Sequence, residues 1–147
     1  MALNFHGVAL VLGDHGVLIS GRSGAGKTAL GLALVAHVRS FGWFARFVAD
    51  DQVFLSACHG RLVCAAPETI AGLAEIWGIG PRRVEFEPRA RIDLMVRLAA
   101  RADSPRFQEP RTEMLEGCAM PCLTLAGDDR QSGLFAVASC LGLPPFG

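Results

Sequence analysis

The chain has 147 residues, 51% of them hydrophobic, and its 14 basic side chains balance 14 acidic ones to a formal net charge of zero. That length suits one domain with a real core. Neutrality without a basic tract excludes nucleic acid and anionic membrane as main partners. No apolar run is long enough to span a bilayer, and Met1 to Leu12 lacks the basic flank and cleavage site of a secretion signal, so a cytoplasmic protein is expected.

In chain order, Val8 to Leu12 and Val17 to Ser20 read as two short buried strands joined at Gly13-Asp14-His15-Gly16, a hairpin signal. A glycine-rich turn follows, and then Thr28 to Val38 has the apolar spacing and alanine content of a helix packed on a sheet, stopping near Gly42. Phe44 to Ala49 is a strand that delivers Asp50 and Asp51 to its C-terminal end, where open α/β sheets bind ligands. Val53 to Cys58 and Leu62 to Ala66 flank His59-Gly60-Arg61 as a second hairpin, and Pro67 to Leu73 begins like a short helix. The glycine-punctuated stretch Glu75 to Gly80 is expected as a loop, while Arg83 to Glu87 and Ile92 to Leu98 are expected as strands. Ala99 to Glu113, with Pro105 and Pro110, reads as a mobile connection, and Gly133 to Leu141 as a closing helix. Five cysteines without paired C-x-x-C spacing read as free, mostly buried thiols.

The chemistry concentrates at Gly21-Arg22-Ser23-Gly24-Ala25-Gly26-Lys27-Thr28, a full match to the phosphate-binding pattern G-x-x-x-x-G-K-[ST]. Lys27 is the only lysine among fourteen basic residues, and it stands where a compact ammonium must reach between β- and γ-phosphates. The strand, turn and helix around it are the context that directs free backbone N–H groups and a helix dipole at an anion. Thr28 is placed to ligand Mg²⁺, and a nucleotide or other phosphate is the expected ligand. Asp50 and Asp51 are candidates for a metal contact and for a base near the γ-phosphate. His6 can approach the acceptor or the phosphate, and Glu75 can complete the Mg²⁺ shell.

The order Phe5-His6-Gly7, Gly21 to Thr28, Val48-Ala49-Asp50-Asp51 and Ala74-Glu75-Ile76-Trp77-Gly78-Ile79-Gly80 resembles the catalytic domain of the HPr kinase/phosphorylase family. The resemblance implies an α/β phosphate-loop domain with a mixed sheet, flanking helices and a phosphoenolpyruvate-carboxykinase-like fold. It implies ATP-dependent phosphorylation of a serine on HPr or an HPr-like phosphocarrier protein of the sugar phosphotransferase system, in many members with phosphorolysis as well. It also implies a homo-oligomer, a hexamer in the family, and a minimal form consisting of the catalytic domain alone. Carried across by position, His6 resembles the active-site histidine, Lys27 the phosphate-contacting lysine, Thr28 and Glu75 the Mg²⁺ ligands, and Asp51 the acid/base aspartate. The late active-site arginine has its counterpart in Arg106, with Arg111 as rival. Departures are Ala29 where many relatives have glutamate, Trp77 where arginine is usual, and Asp128-Asp129-Arg130-Gln131-Ser132-Gly133, which lacks the first arginine of a loop linked to dephosphorylation. Two other readings share the motif: a small-molecule kinase, which would need a basic lid for which only Ala99 to Glu113 is available, and a nucleotide-sensing module without turnover.

Overall fold

The computed structural model describes residues 2–147. Strands β1 (Leu3–His6), β2 (Val8–Leu12) and β3 (His15–Ser20) lead through the glycine-rich loop into α1 (Lys27–Ser40). Next come β4 (Ala45–Ala49), β5 (Gln52–Cys58), β6 (Arg61–Ala65), β7 (Leu73–Ile76), β8 (Gly80–Arg83) and β9 (Arg89–Arg91). The chain closes with β10 (Leu94–Ala99), β11 (Arg111–Leu115), β12 (Cys118–Ala126) and α2 (Arg130–Leu141). A mixed six-stranded sheet runs in the order β11-β12-β10-β3-β2-β4. β10 lies parallel to both β3 and β12, while the remaining neighbours are antiparallel.

Both faces of this sheet are covered, which is why its central strands read as continuous apolar runs rather than alternating ones. Val8, Leu10 and Leu12 of β2, Val17 and Ile19 of β3, and Leu94, Val96 and Leu98 of β10 pack with Leu30, Leu34 and Val38 of α1 and Leu134 and Val137 of α2. The alternate residues Ala9 and Leu18 pack the other way, against Val53, Leu55, Leu62 and Cys64. Those belong to an antiparallel four-stranded sheet, β1-β5-β6-β9. The architecture is therefore helices, mixed sheet, second sheet; the helices flank one face only. Gly31 lets α1 approach closely, since a Cβ there would lie 3.3 Å from side-chain atoms of Val8, Leu10 and Phe47. Leu34 is fully buried in this layer, so truncating it to alanine costs about 2–5 kcal/mol.

Four expectations shift in register or kind. Glu75 and Ile76 are not loop but the end of β7, which pairs with β8 so that only Trp77–Ile79 turn. No strand runs from Arg83 to Glu87: β8 ends at Arg83, and Phe86 makes a single bridge to Phe47. The strand expected from Ile92 starts at Leu94, because the Asp93 carboxylate is taken by the Gly16 N–H at 2.9 Å and by Arg91 at 3.0 Å. The connection after Ala99 is pinned rather than loose: the Gln108 side-chain amide donates to the Thr124 carbonyl and accepts from its N–H, pairing with β12 as a strand would. β12 contains Pro121, which is tolerated because its parallel pairing with β10 starts only at Cys122. Among the described residues, no helix is long and apolar enough to cross a membrane.

Candidate active site

The glycine-rich loop leaves the end of β3 in the middle of the sheet and enters α1 with Gly26 as N-cap at φ 100°, a left-handed conformation that favours glycine. No side chain caps this helix and no acidic residue occupies its first turn. The N–H groups at its start are consequently free to meet an anion. Lys27 is 7% exposed, and its Nζ donates to the carbonyls of Gly21 and Arg22, each at 3.0 Å. The ammonium is thus folded back into the loop, satisfied by neutral acceptors that a phosphate oxygen can replace.

Asp50 ties three elements together. It is 6% exposed at the end of β4, its Oδ1 accepts the Thr28 hydroxyl at 2.7 Å, and its Oδ2 accepts the Glu75 N–H at 2.7 Å. Because the Thr28 O–H donates to Asp50, the lone pairs of that hydroxyl stay available to a cation. The next residue is the opposite case. Asp51 is exposed at φ 75°, the centre of a tight turn closed by Gln52 N–H to Asp50 C=O at 3.0 Å. This is the strained positive-φ γ-turn, a conformation that asparagine and aspartate tolerate better than other side chains. Two contacts hold it: the Gly7 N–H donates to the Asp51 carbonyl at 3.0 Å, and His6 Nε2 lies 2.8 Å from Asp51 Oδ1. With the carboxylate ionised, the histidine is the donor in that bond.

One cleft of about 1060 Å³ gathers these groups. His6, Lys27, Thr28, Asp50, Asp51 and Glu75 form its polar side, while Ala29, Leu32, Ala33, Ile76 and Trp77 form an apolar wall. Trp77, at the tip of the β7–β8 hairpin, is 98% exposed. Ser23, Gly24 and Gly26 of the loop also line the cleft; Ala25 N–H closes a turn onto the Arg22 carbonyl at 3.0 Å.

Arg106, the arginine expected from position along the chain, is exposed and does not line this cleft. Its rival Arg111 sits on β11, 3.8 Å from Glu113, and lines a different depression. The arginine that does reach the cleft is Arg130, the first residue of α2. Asp129 caps that helix by accepting the Ser132 N–H at 3.1 Å, a bond that holds its carboxyl below the usual carboxylate range. Gly127 presses this turn onto the phosphate loop, where a Cβ would come within 2.4 Å of the Ala25 carbonyl. An arginine directly after the capping aspartate of an Asp-x-x-Ser box was the sequence signal available; its approach to the loop depends on tertiary packing.

The fold and cleft define a phosphate-loop α/β protein with a carboxylate pair and a histidine at the strand end facing the loop. The model of the HPr serine kinase C-terminal domain family matches residues 1–117, and the chain belongs to that family. Similar curated proteins include the HPr kinase/phosphorylase of Clostridium tetani, 35% identical over 75 residues, and that of Lactobacillus delbrueckii subsp. bulgaricus, 41% identical over 76 residues. Each match covers 51% of this chain but only 23% and 22% of those proteins, so the chain spans a minor part of the relatives it matches. The solved HPr(Ser) kinase/phosphatase from Coxiella burnetii superposes with a TM-score of 0.79 at 23% identity, covering 95% of this chain and 93% of that one; the two share a fold.

Proposed function

We propose that residues 1–147 act as one catalytic domain that transfers the γ-phosphoryl group of ATP to a serine of HPr or a closely related phosphocarrier protein. The observation that carries this reading is the single cleft joining the phosphate loop to the His6–Asp51 pair. Phosphoryl transfer needs a phosphate cradle, a site for a divalent cation and a base for the acceptor hydroxyl, and the cleft offers candidates for each. The backbone N–H groups between Gly24 and Thr28 hold the phosphates, and Lys27 exchanges its loop carbonyls for phosphate oxygens. Thr28, Asp50 and Glu75 make an all-oxygen donor set, which suits Mg²⁺. Bound there, Mg²⁺ supplies charge neutralisation on the phosphates.

Asp51 takes the serine proton as the hydroxyl oxygen bonds to the γ-phosphorus and the bond from that phosphorus to the β,γ-bridging oxygen breaks, releasing ADP; His6 orients that carboxylate through the 2.8 Å contact. Arg130 faces the negative charge of the group in transfer, the role that chain order had given to Arg106. A small-molecule kinase is the less supported alternative, because no residue of 99–113, the one segment available as a lid, lines the cleft. The open apolar wall ending in Trp77 suits a protein acceptor, and ATP as donor makes the reading that of a cytoplasmic enzyme. A homo-oligomer belongs to the same reading, supported by the exposed aromatics Phe41, Phe135 and Phe146 beside the C-terminal end of α1.

The test is intact-mass spectrometry of purified HPr incubated with the protein, ATP and Mg²⁺. One phosphoryl group on a serine is the expected product. ATP binding with no phosphoryl group on HPr would overturn the acceptor assignment and favour a nucleotide sensor.

A further inference from the structure

The four-stranded sheet β1-β5-β6-β9 holds three arginines and not one carboxylate, in a chain whose charges balance overall. Its inner face is spent on the core through Val53, Leu55, Leu62 and Cys64. The outer face is open: beyond its own strands, the sheet packs chiefly on β2, β3 and β4, all on the inner side. The strand registers fix what that open face presents. One row reads Asn4, Phe54, Ala65 and Arg89 across the four strands; the next reads Ser56, Val63 and Arg91, with Arg61 opposite Cys58 beyond it. Phe54 is 38% exposed at its centre. Arg91 is paired with Asp93 at 3.0 Å, whereas Arg61 and Arg89 have no ion pair among the described residues.

The same face runs into the catalytic cleft. His6 pairs with Gln52 at the end of β1, and side chains two apart on a strand share a face, so Phe54 stands roughly 7 Å along the strand from the row that holds His6. A surface continuous with the acceptor end of the cleft, apolar at the centre and cationic at the rim, fits a partner with the complementary arrangement. A second copy in an isologous contact does not fit, since it would set arginine against arginine. Nucleic acid fits less well, because the centre is apolar and only two of the cations are unpaired.

We infer that this sheet face docks the protein acceptor, through an acidic rim around an apolar spot next to the serine that enters the cleft. The inference rests on the kinase reading above and adds the chemistry of the partner. The experiment uses HPr as probe and compares the wild-type protein with Arg61→Glu/Arg89→Glu and with Phe54→Ser, measuring KM for HPr, KM for ATP and the maximal rate. The double variant should raise KM for HPr roughly tenfold and leave KM for ATP unchanged, and added salt should raise KM for HPr in the wild type but not in the variant. Arg61→Ala/Arg89→Ala, a milder change at two exposed positions, should move KM for HPr the same way by a smaller factor.

An unchanged KM for HPr in both double variants, with wild-type transfer intact, would overturn the docking face and leave the kinase reading standing. An equal loss of ATP binding in both would overturn it too, by marking the effect as structural. Competition by single-stranded nucleic acid, lost in the variants, would reassign the face to that partner. If the wild type fails to phosphorylate HPr, the acceptor assignment and the docking face fall together.

Discussion

The two ends of the cleft are built differently. At the phosphate end Lys27 and Asp50 are almost entirely buried, and the side chains of Lys27, Thr28 and Asp50 each have a protein partner between 2.7 and 3.0 Å. At the acceptor end His6, Asp51 and Glu75 are exposed, Asp51 sits in a strained turn, and Trp77 stands almost wholly in solvent. The contrast has a physical reason. On the proposed kinase reading, a phosphate chain is a fixed shape with fixed charge and rewards a rigid, pre-oriented cradle, whereas a protein acceptor has to carry its own surface up to the base.

Changes at the two ends should therefore separate binding from transfer. The largest effect is expected for Lys27→Ala, which removes a charge at the rigid end and should cut transfer about 10²–10³-fold together with weaker ATP binding, as read by single-turnover kinetics and calorimetric titration. Asp50→Ala should act on stability. It leaves the part-buried Thr28 hydroxyl and Glu75 N–H without their acceptor, at about 1–3 kcal/mol, and should lower the thermal midpoint measured by calorimetry. Gly127→Ala should sharpen the comparison by pushing on the Ala25 carbonyl: ATP binding should weaken severalfold by about 1 kcal/mol, with the His6–Asp51 pair untouched.

The smallest effect concerns the thiols. Burial pushes the Cys64 thiol up to about 12 from an ordinary 9.0, and raises Cys122 as well, whereas Cys58 and Cys140 are exposed. Titration with a thiol reagent at pH 8 should therefore show Cys58 and Cys140 reacting first and Cys64 last. Because the folded pKa of Cys64 lies above the unfolded one, the stability contributed by its neutral form is complete below pH 9. It is lost as pH rises from 9 towards 12.

How far the sequence discloses this arrangement follows from how local each feature is. The phosphate loop, the β2–β3 hairpin and α1 depend on neighbours within a few residues, so spacing alone identifies them, and the ordered segments around His6, Lys27, Asp51 and Glu75 are enough to indicate the family. Elements defined by partners far along the chain were not legible. β1, with four residues, and β9, with three, are too short to show a period, and the second sheet they edge could not be foreseen. β7 and β8 pair only with each other and leave most of their side chains exposed, so they carry no alternating pattern. Arg130 reaches the cleft because Gly127 packs on Ala25, more than a hundred residues away in sequence, and order along the chain pointed instead to Arg106. The γ-turn at Asp51 has no composition signal, since Asp-Asp at a strand end is also an ordinary solvated turn.

The most direct test of two separable ends is the Asp51→Asn variant, with ATP affinity and single-turnover transfer to HPr measured on the same preparation. Asparagine tolerates the positive φ and can keep the contact with His6, so the fold and the phosphate end should stay intact. Unchanged ATP affinity with transfer reduced at least about a hundredfold is the predicted result. Transfer within a few-fold of wild type would contradict the account and remove Asp51 from the chemistry.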